Sequence, residues 1–341
     1  MTEYAQYIVD YIKKNLKGDY EADIQYLHDC SEKYSHDEDS ADILREIATM
    51  MYEILPEEEK SQVSERLEEL NGSIDAEYAA VLDMVKCGDF AQAKELMHTL
   101  LLSVENRYGE DEDNLYLSLN HVMELYEYSY FQKPEKQIKT TDIQYNEYYR
   151  TYGVILMHLK EYEAAIEAHK TAIRWNPVDL DSYLSLGEVY KYMGGHLAEF
   201  LEVTKQAHRY CCTRATMARY YRNMGFYYLE SYKPDAARAM YVYSNIYFHT
   251  EHADGELKYI EEAMKTPTPE YDIQTLQQIL EENAVELGPN SETIGVIYRV
   301  GKLLLESKDL ERARDCFTIV YDITQDEEVG EILTQLMESA E

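Results

Sequence analysis

The chain of 341 residues has no run near the roughly 20 apolar residues that a membrane span requires. Its opening stretch, MTEYAQYIVDYIKKNL, carries acids early and lacks an apolar core segment, so it does not read as a secretory signal. Cysteine is sparse and odd in number. Cys30, Cys87, Cys211, Cys212 and Cys316 are scattered, which argues against a disulfide framework and fits reduced thiols in a cytoplasm. Base is scarce as well: 32 Lys and Arg stand against 66 Asp and Glu, a net charge of −34. That balance argues against nucleic-acid binding, which depends on neutralising phosphates. The expectation is a soluble, cytoplasmic protein with no membrane or nucleic-acid partner.

Motifs of chemistry are missing too. There is no GxxxxGK[ST], no GxGxxG and no GxSxG. Vicinal Cys211-Cys212 lies in a basic region, where a depressed thiol pKa is conceivable. Adjacent residues on a helix point about 100° apart, however, so they make a poor pair for one metal. His249 and His252 in HTEH could share a helix face but lack the HExxH order of a zinc peptidase. His28, Cys30 and His36 have no second pair at a metal-finger spacing. The acids Glu57–Glu59 follow Pro56 and read as the first turn of a helix, where negative charge suits the dipole. No catalytic residue, metal or cofactor is expected, and the chain reads as a non-enzyme.

What is present is periodic. Gly153, Gly225 and Gly301 are each followed twelve residues later by an alanine, Ala165, Ala237 and Ala313, and Gly187 sits 34 residues after Gly153. Four residues before each glycine stands Tyr149, Tyr183, Tyr221 or Ile297; one before, Tyr152, Leu186, Met224 or Val300; three after, Leu156, Tyr190, Tyr228 or Leu304. Offsets of −4, −1 and +3 define one stripe on a helix of 3.6 residues per turn. The glycine beside the stripe lets a partner helix approach closely, and the alanine does the same on the second helix. A bulky residue at +16 (His169, Tyr241, Phe317) is expected to plug the gap to the following hairpin. Rings are supplied by 34 Tyr against 6 Phe and 1 Trp, so Tyr carries much of the packing.

These residues resemble the tetratricopeptide repeat, two helices in about 34 residues. The resemblance runs through YYRTYGVILMHLKEYEAAIEAHKTAIRWNP (Tyr148–Pro177), DSYLSLGEVYKYMGG from Asp181, YYRNMGFYYLESYKPDAARAMYVYSNIY from Tyr220 and IYRVGKLLLESKDLERARDCFTIVY from Ile297. In the second unit Ala198 falls one residue early. AEYAAVLDMVKCGDFAQAKELMHTLL near residue 76 is a degenerate version, with Val81 in the glycine's place and Ala93 twelve further on. The resemblance implies an all-α fold: an α-solenoid of helical hairpins forming a right-handed superhelix, with a less regular helical N-terminal region. The expected organisation is irregular helices over 1–70, degenerate repeat helices over 71–132, three repeats over 145–260, and a C-terminal unit with a capping helix over 271–341. Within this, helices are expected over 3–16, 20–34, 41–55, 57–70 and from about Asn114 to Phe131. Loops are expected at Asn71-Gly72 and from Gly109 to Asn114, and hinges at QKPEKQIKTTD and TPTPE.

Charge is uneven along the repeats. Residues 1–130 carry −21 and 226–341 carry −15, whereas 131–225 carry +2. No acid occurs from Val203 to Leu229, where the chain's average would place about five; Lys205, His208, Arg209, Arg214, Arg219 and Arg222 stand there. One reading is a docking site for an anionic or carboxylate-bearing ligand. The other is a basic face for the protein's own acids, such as Glu110–Asp113 or Glu338–Glu341. In the family, the first helix of each repeat turns one face to a bound peptide. The resemblance implies that here the stripe at −6, −3, +1 and +4 does so. That stripe and its neighbours bring Arg150, Met157, Lys191, Arg219, Arg222, Asn223, Phe226, Tyr298 and Lys302 to one groove, beside Asp181, Glu188 and Arg299. Guanidinium groups suit bidentate carboxylates. Family members that clamp chaperone tails use Lys and Asn where this chain has Arg150 and Val154, which argues against such a clamp. The expected function is a protein–protein interaction scaffold holding a peptide in that groove. The alternative is a peptide-sensing regulator of the bacterial pheromone-sensor type, whose architecture is similar.

Overall fold

Helix ends in this chain are written by short polar residues. Thr2, Asp19, Asp89, Thr213, Thr250, Asp272, Asn290 and Asp309 each use a side-chain oxygen to take up a backbone N–H of the first helical turn. The computed structural model describes residues 1–37, 39–109 and 112–338. It contains seventeen helices among them: α1 Glu3–Lys14, α2 Tyr20–Tyr34, α3 Ser40–Ile54, α4 Glu57–Cys87, α5 Phe90–Val104, α6 Val122–Gln132, α7 Tyr145–His158, α8 Tyr162–Trp175, α9 Leu180–Met193, α10 Leu197–His208, α11 Arg214–Glu230, α12 Pro234–Tyr247, α13 Glu251–Met264, α14 Ile273–Glu282, α15 Ser291–Glu306, α16 Leu310–Thr324 and α17 Glu327–Glu338. The fold is an all-α helical-repeat solenoid. A single parallel strand pair, β1 Asn114–Leu117 with β2 Gln137–Thr140, is the one addition among the described residues.

Two expectations of local structure fail. Asn71-Gly72 lie inside α4 and not in a loop. Gly72 meets no neighbour where a side chain would stand, so nothing there demands a turn. The helix expected from Asn114 begins only at Val122, because Asn114–Leu117 pair in register with Gln137–Thr140. Of the acids named as candidate partners for the basic face, Glu110, Asp111 and residues 339–341 lie outside the described residues.

The chain divides into two compact units. One comprises Met1–Ser118 with Pro134–Tyr148, the other Leu119–Lys133 with Tyr149–Glu341. In the first, α1–α3 bury Val9, Ile12, Leu27, Ile43 and Ile47 in a shared core. Asp23 closes the turn between α1 and α2 by accepting the N–H groups of Lys17 and Gly18 at 2.8 and 2.7 Å. Helices α4 and α5 form the degenerate hairpin, with Val81 and Ala93 both buried completely.

In the second unit α7–α8, α9–α10, α11–α12 and α15–α16 are hairpins in the expected phase, and Ala165, Ala237 and Ala313 are fully buried. The +16 residues behave differently from expectation. They fill the notch left by the glycine of their own hairpin, not the gap to the next. A β-carbon placed at Gly153 would lie 2.5 Å from His169 Nε2, and one at Gly225 would lie 2.9 Å from the ring of Tyr241. At Gly301 the contacts are 3.1 Å to Cys316 and Phe317.

A further period recurs at +7. There the first helix stops on a left-handed residue: Gly88, Lys160, Gly194, Tyr232 and Lys308 all have positive φ. At four of these turns the next residue's N–H reaches back to the +3 carbonyl (Asp89 to Met84, Glu161 to Leu156, Lys233 to Tyr228, Asp309 to Leu304), each at 2.9 Å. This satisfies carbonyls that a helix end leaves bare. Where Lys or Tyr occupies the site, the packing of the two helices outweighs a backbone preference for glycine.

Candidate interaction surface

Helices α7, α9, α11 and α15 carry the nine residues expected to face a ligand. Most of the cations among them already have a carboxylate. Arg150 Nη1 donates to Asp181 Oδ2 at 2.9 Å, joining α7 to α9. Arg219 Nη2 lies 3.6 Å from Glu188 Oε1, joining α11 to α9. Lys302 Nζ donates to Glu328 Oε1 at 3.1 Å, and the Tyr298 hydroxyl donates to the same oxygen at 2.9 Å. Glu328 is held below the ordinary carboxylate range by these two hydrogen bonds, Lys302 first. The acids that meet the stripe therefore come from the neighbouring repeat and from the first turn of α17.

Lys191, Phe226, Arg222 and Asn223 differ. Lys191 Nζ sits 4.7 Å above the Phe226 ring, which packs edge-on to Phe200 at 5.2 Å. Met157 packs against the core of α7–α10. Arg222 is half-buried. Its Nη1 is closed to water with no acceptor, and no nitrogen of the group has a protein partner among the described residues. Desolvation, and then the adjacent Arg219, push its pKa down from the ordinary guanidinium value. Asn223, one residue on, is buried and makes no side-chain hydrogen bond among the described residues. Structure thus joins α9 to α11 through Lys191–Phe226 and Glu188–Arg219, while Tyr298 and Lys302 form a separate cluster with Glu328.

Sequence reasoning expected a helix ending near Phe131 but gave α6 no part in the site. This helix packs on α15. The Tyr130 hydroxyl donates to Glu292 at 3.3 Å, and the Arg299 guanidinium lies over the Tyr130 ring at 5.4 Å. Phe131 lies under Arg209 at 4.9 Å and edge-on to Tyr210 at 6.4 Å. At the start of α6 the Glu124 carboxylate accepts the N–H groups of Asn120 and His121 and the Asn176 amide. One turn on, Glu127 is buried without those donors. Burial, and then the Glu124 charge, push its pKa up to about 8. The signal in the sequence was a helix whose two acids both fall on its buried side, which no hydrophobic stripe announces.

Other candidates resolve simply. Burial raises the pKa of Cys211 and lifts that of Cys212 to about 12, the opposite of an activated thiol. His249 Nε2 contacts Asp254 Oδ2 at 2.9 Å. No group of three metal-ligating side chains occurs among the described residues, and no helix among them is long and apolar enough to cross a membrane.

Paired antiparallel helices, stacked so that each glycine receives a side chain from its partner helix, define the helical-repeat class of protein. A family model described as tetratricopeptide repeat matches residues 147–179, the span of α7 and α8. The chain thus carries a tetratricopeptide repeat at α7–α8, and such a repeat supports an interaction scaffold. No curated protein matches it. Among solved structures it is similar to a chain of the APC/C hetero-tetramer Cut9–Hcn1, at 13% identity over 96% of this chain. The match spans 58% of that chain's length, and its TM-score of 0.32 is too low to carry an argument.

Proposed function

We propose that the protein holds a partner segment against α9 and α11, with Arg222 receiving an acceptor from the partner. The observation that supports this reading is a half-buried guanidinium with a water-excluded Nη1 and no protein acceptor. A buried donor left unpaired costs about 1–3 kcal/mol. A carboxylate or carbonyl delivered to the accessible side of the half-buried guanidinium adds a charge-assisted hydrogen bond to a group already partly desolvated before binding. Phe226 with the Lys191 stem offers apolar contact one turn along α11. Arg150, Arg219, Tyr298 and Lys302 act here as struts between helices, since each already holds a carboxylate. Catalysis forms no part of this reading.

The test is quantitative capture of partners by the immobilised protein from a lysate of its own cells. Wild type, Arg222→Glu, and the Arg219→Glu plus Arg222→Glu pair would be compared. Both variants are expected to lose the captured proteins while far-ultraviolet circular dichroism stays unchanged. Equal capture by Arg222→Glu and wild type would sink the reading.

A further inference from the structure

The acid-free run also feeds a cavity away from that stripe. The last turn of α10 and the loop between α14 and α15 enclose about 570 Å³, lined among others by Lys205, His208, Arg209, Glu286, Asn290 and Ser291. The loop is pinned from three directions. The Tyr221 hydroxyl accepts the Gly288 N–H at 2.8 Å and donates to the Glu286 carbonyl at 3.1 Å. The Tyr228 hydroxyl donates to the Asn283 carbonyl at 2.6 Å. Buried His208 contributes Nε2, 2.9 Å from the Gly288 carbonyl. The walls are therefore preformed, which lowers the ordering cost of binding.

Lys205 and Arg209 stand at this cavity with no carboxylate partner among the described residues, whereas Arg150, Arg219 and Lys302 each have one. Arg209 is instead steadied by the face of Phe131. Asn290 spends its Oδ1 on the N–H groups of Glu292 and Thr293, so its amide hydrogens are uncommitted among the described residues. In a chain of net charge −34, two cations at one polar cavity favour an external anion. Glu286 is the one acid in the lining and opposes it.

We infer that this cavity binds a phosphate monoester, with Lys205 and Arg209 on the phosphate oxygens and the Asn290 amide and Ser291 hydroxyl completing the donors. A phosphate offers three strong acceptor oxygens and close to two charges near neutral pH. That matches a guanidinium fork, an ammonium and neutral donors better than the two oxygens of a carboxylate do. The volume exceeds a bare phosphate and falls in the range of small-ligand pockets. Both a small metabolite and a phosphorylated side chain present this group.

Isothermal titration with O-phosphoserine and with a phosphoserine peptide, at fixed ionic strength in chloride, tests the site. Lys205→Gln plus Arg209→Gln is expected to weaken binding at least tenfold, and Glu286→Gln to tighten it severalfold. Tighter binding of the peptide assigns the site to a phosphorylated protein, and equal or tighter binding of the free amino acid assigns it to a metabolite. Absence of binding, equal affinity in the double variant, or weaker binding in Glu286→Gln overturns the inference. Arg222→Glu leaves this titration unchanged, so the site stands or falls apart from the partner stripe.

Discussion

Hairpins α7–α8 and α15–α16 share the same glycine and alanine phase and differ in what enters the glycine notch. In α15–α16 the plug is Phe317, fully buried and without a polar atom to satisfy. In α7–α8 it is His169, equally buried, with neither ring nitrogen hydrogen-bonded. Burial, and then the Arg150 charge, lower the His169 pKa to about 4. The same geometric solution therefore carries a pH liability in one hairpin and none in the other. Shape selects the plug, and its chemistry sets the conditions under which the hairpin holds.

The comparison can be broken first by acid. Above the ordinary histidine value of 6.5 the ring is neutral in folded and unfolded chains alike, so it contributes no pH dependence there. As pH falls from 6.5 to about 4 the unfolded chain takes up a proton that the folded chain refuses, and stability drops. The full loss is about 3 kcal/mol. His169→Phe, which copies the α15–α16 plug, is expected to remove this drop; urea midpoints of both proteins from pH 7 to 4 check it, and parallel curves refute it. Next in size is Gly225→Ala, which pushes a methyl group to within 2.9 Å of the buried Tyr241 ring. It is expected to cost about 1–3 kcal/mol by overpacking. A thermal midpoint equal to that of wild type would show that the notch yields. Smallest is Gly187→Ala. Its β-carbon would meet Val203 at an ordinary 3.5 Å, so relief of glycine's backbone entropy dominates. A gain of about 0.5–1 kcal/mol is expected, and a lowered melting temperature would contradict it.

The hairpins were legible because packing repeats. A glycine, an alanine and a three-point stripe recur at fixed offsets, and each offset answers to a contact between two helices. The pairing of groove cations was half legible. Asp181 and Glu188 lay on the same stripe as Arg150 and Arg219, one repeat away, which is where the structure joins them. The left-handed stops at +7 were hidden because Lys160, Tyr232 and Lys308 are not turn-forming residue types. Strands β1 and β2 were hidden by length, since four residues each give too little alternation to stand out. The cavity at Lys205 and Arg209 depends on a loop some 80 residues downstream, as the contact of His208 with Gly288 illustrates. No local pattern encodes such an encounter.

The seat of α6 is also distant, and that distance has a cost in time. Tyr130 and Glu292 are separated by 162 positions, yet they meet in the finished unit. During synthesis α6 emerges long before α15 exists, so its apolar residues Val122 and Met123 and the buried-to-be Glu127 must wait beside a growing chain. Domains tend to fold as the ribosome delivers them, and late-arriving partners prolong the exposure of sticky surface. For this protein a helix translated much later is the one that lets α6 finish folding.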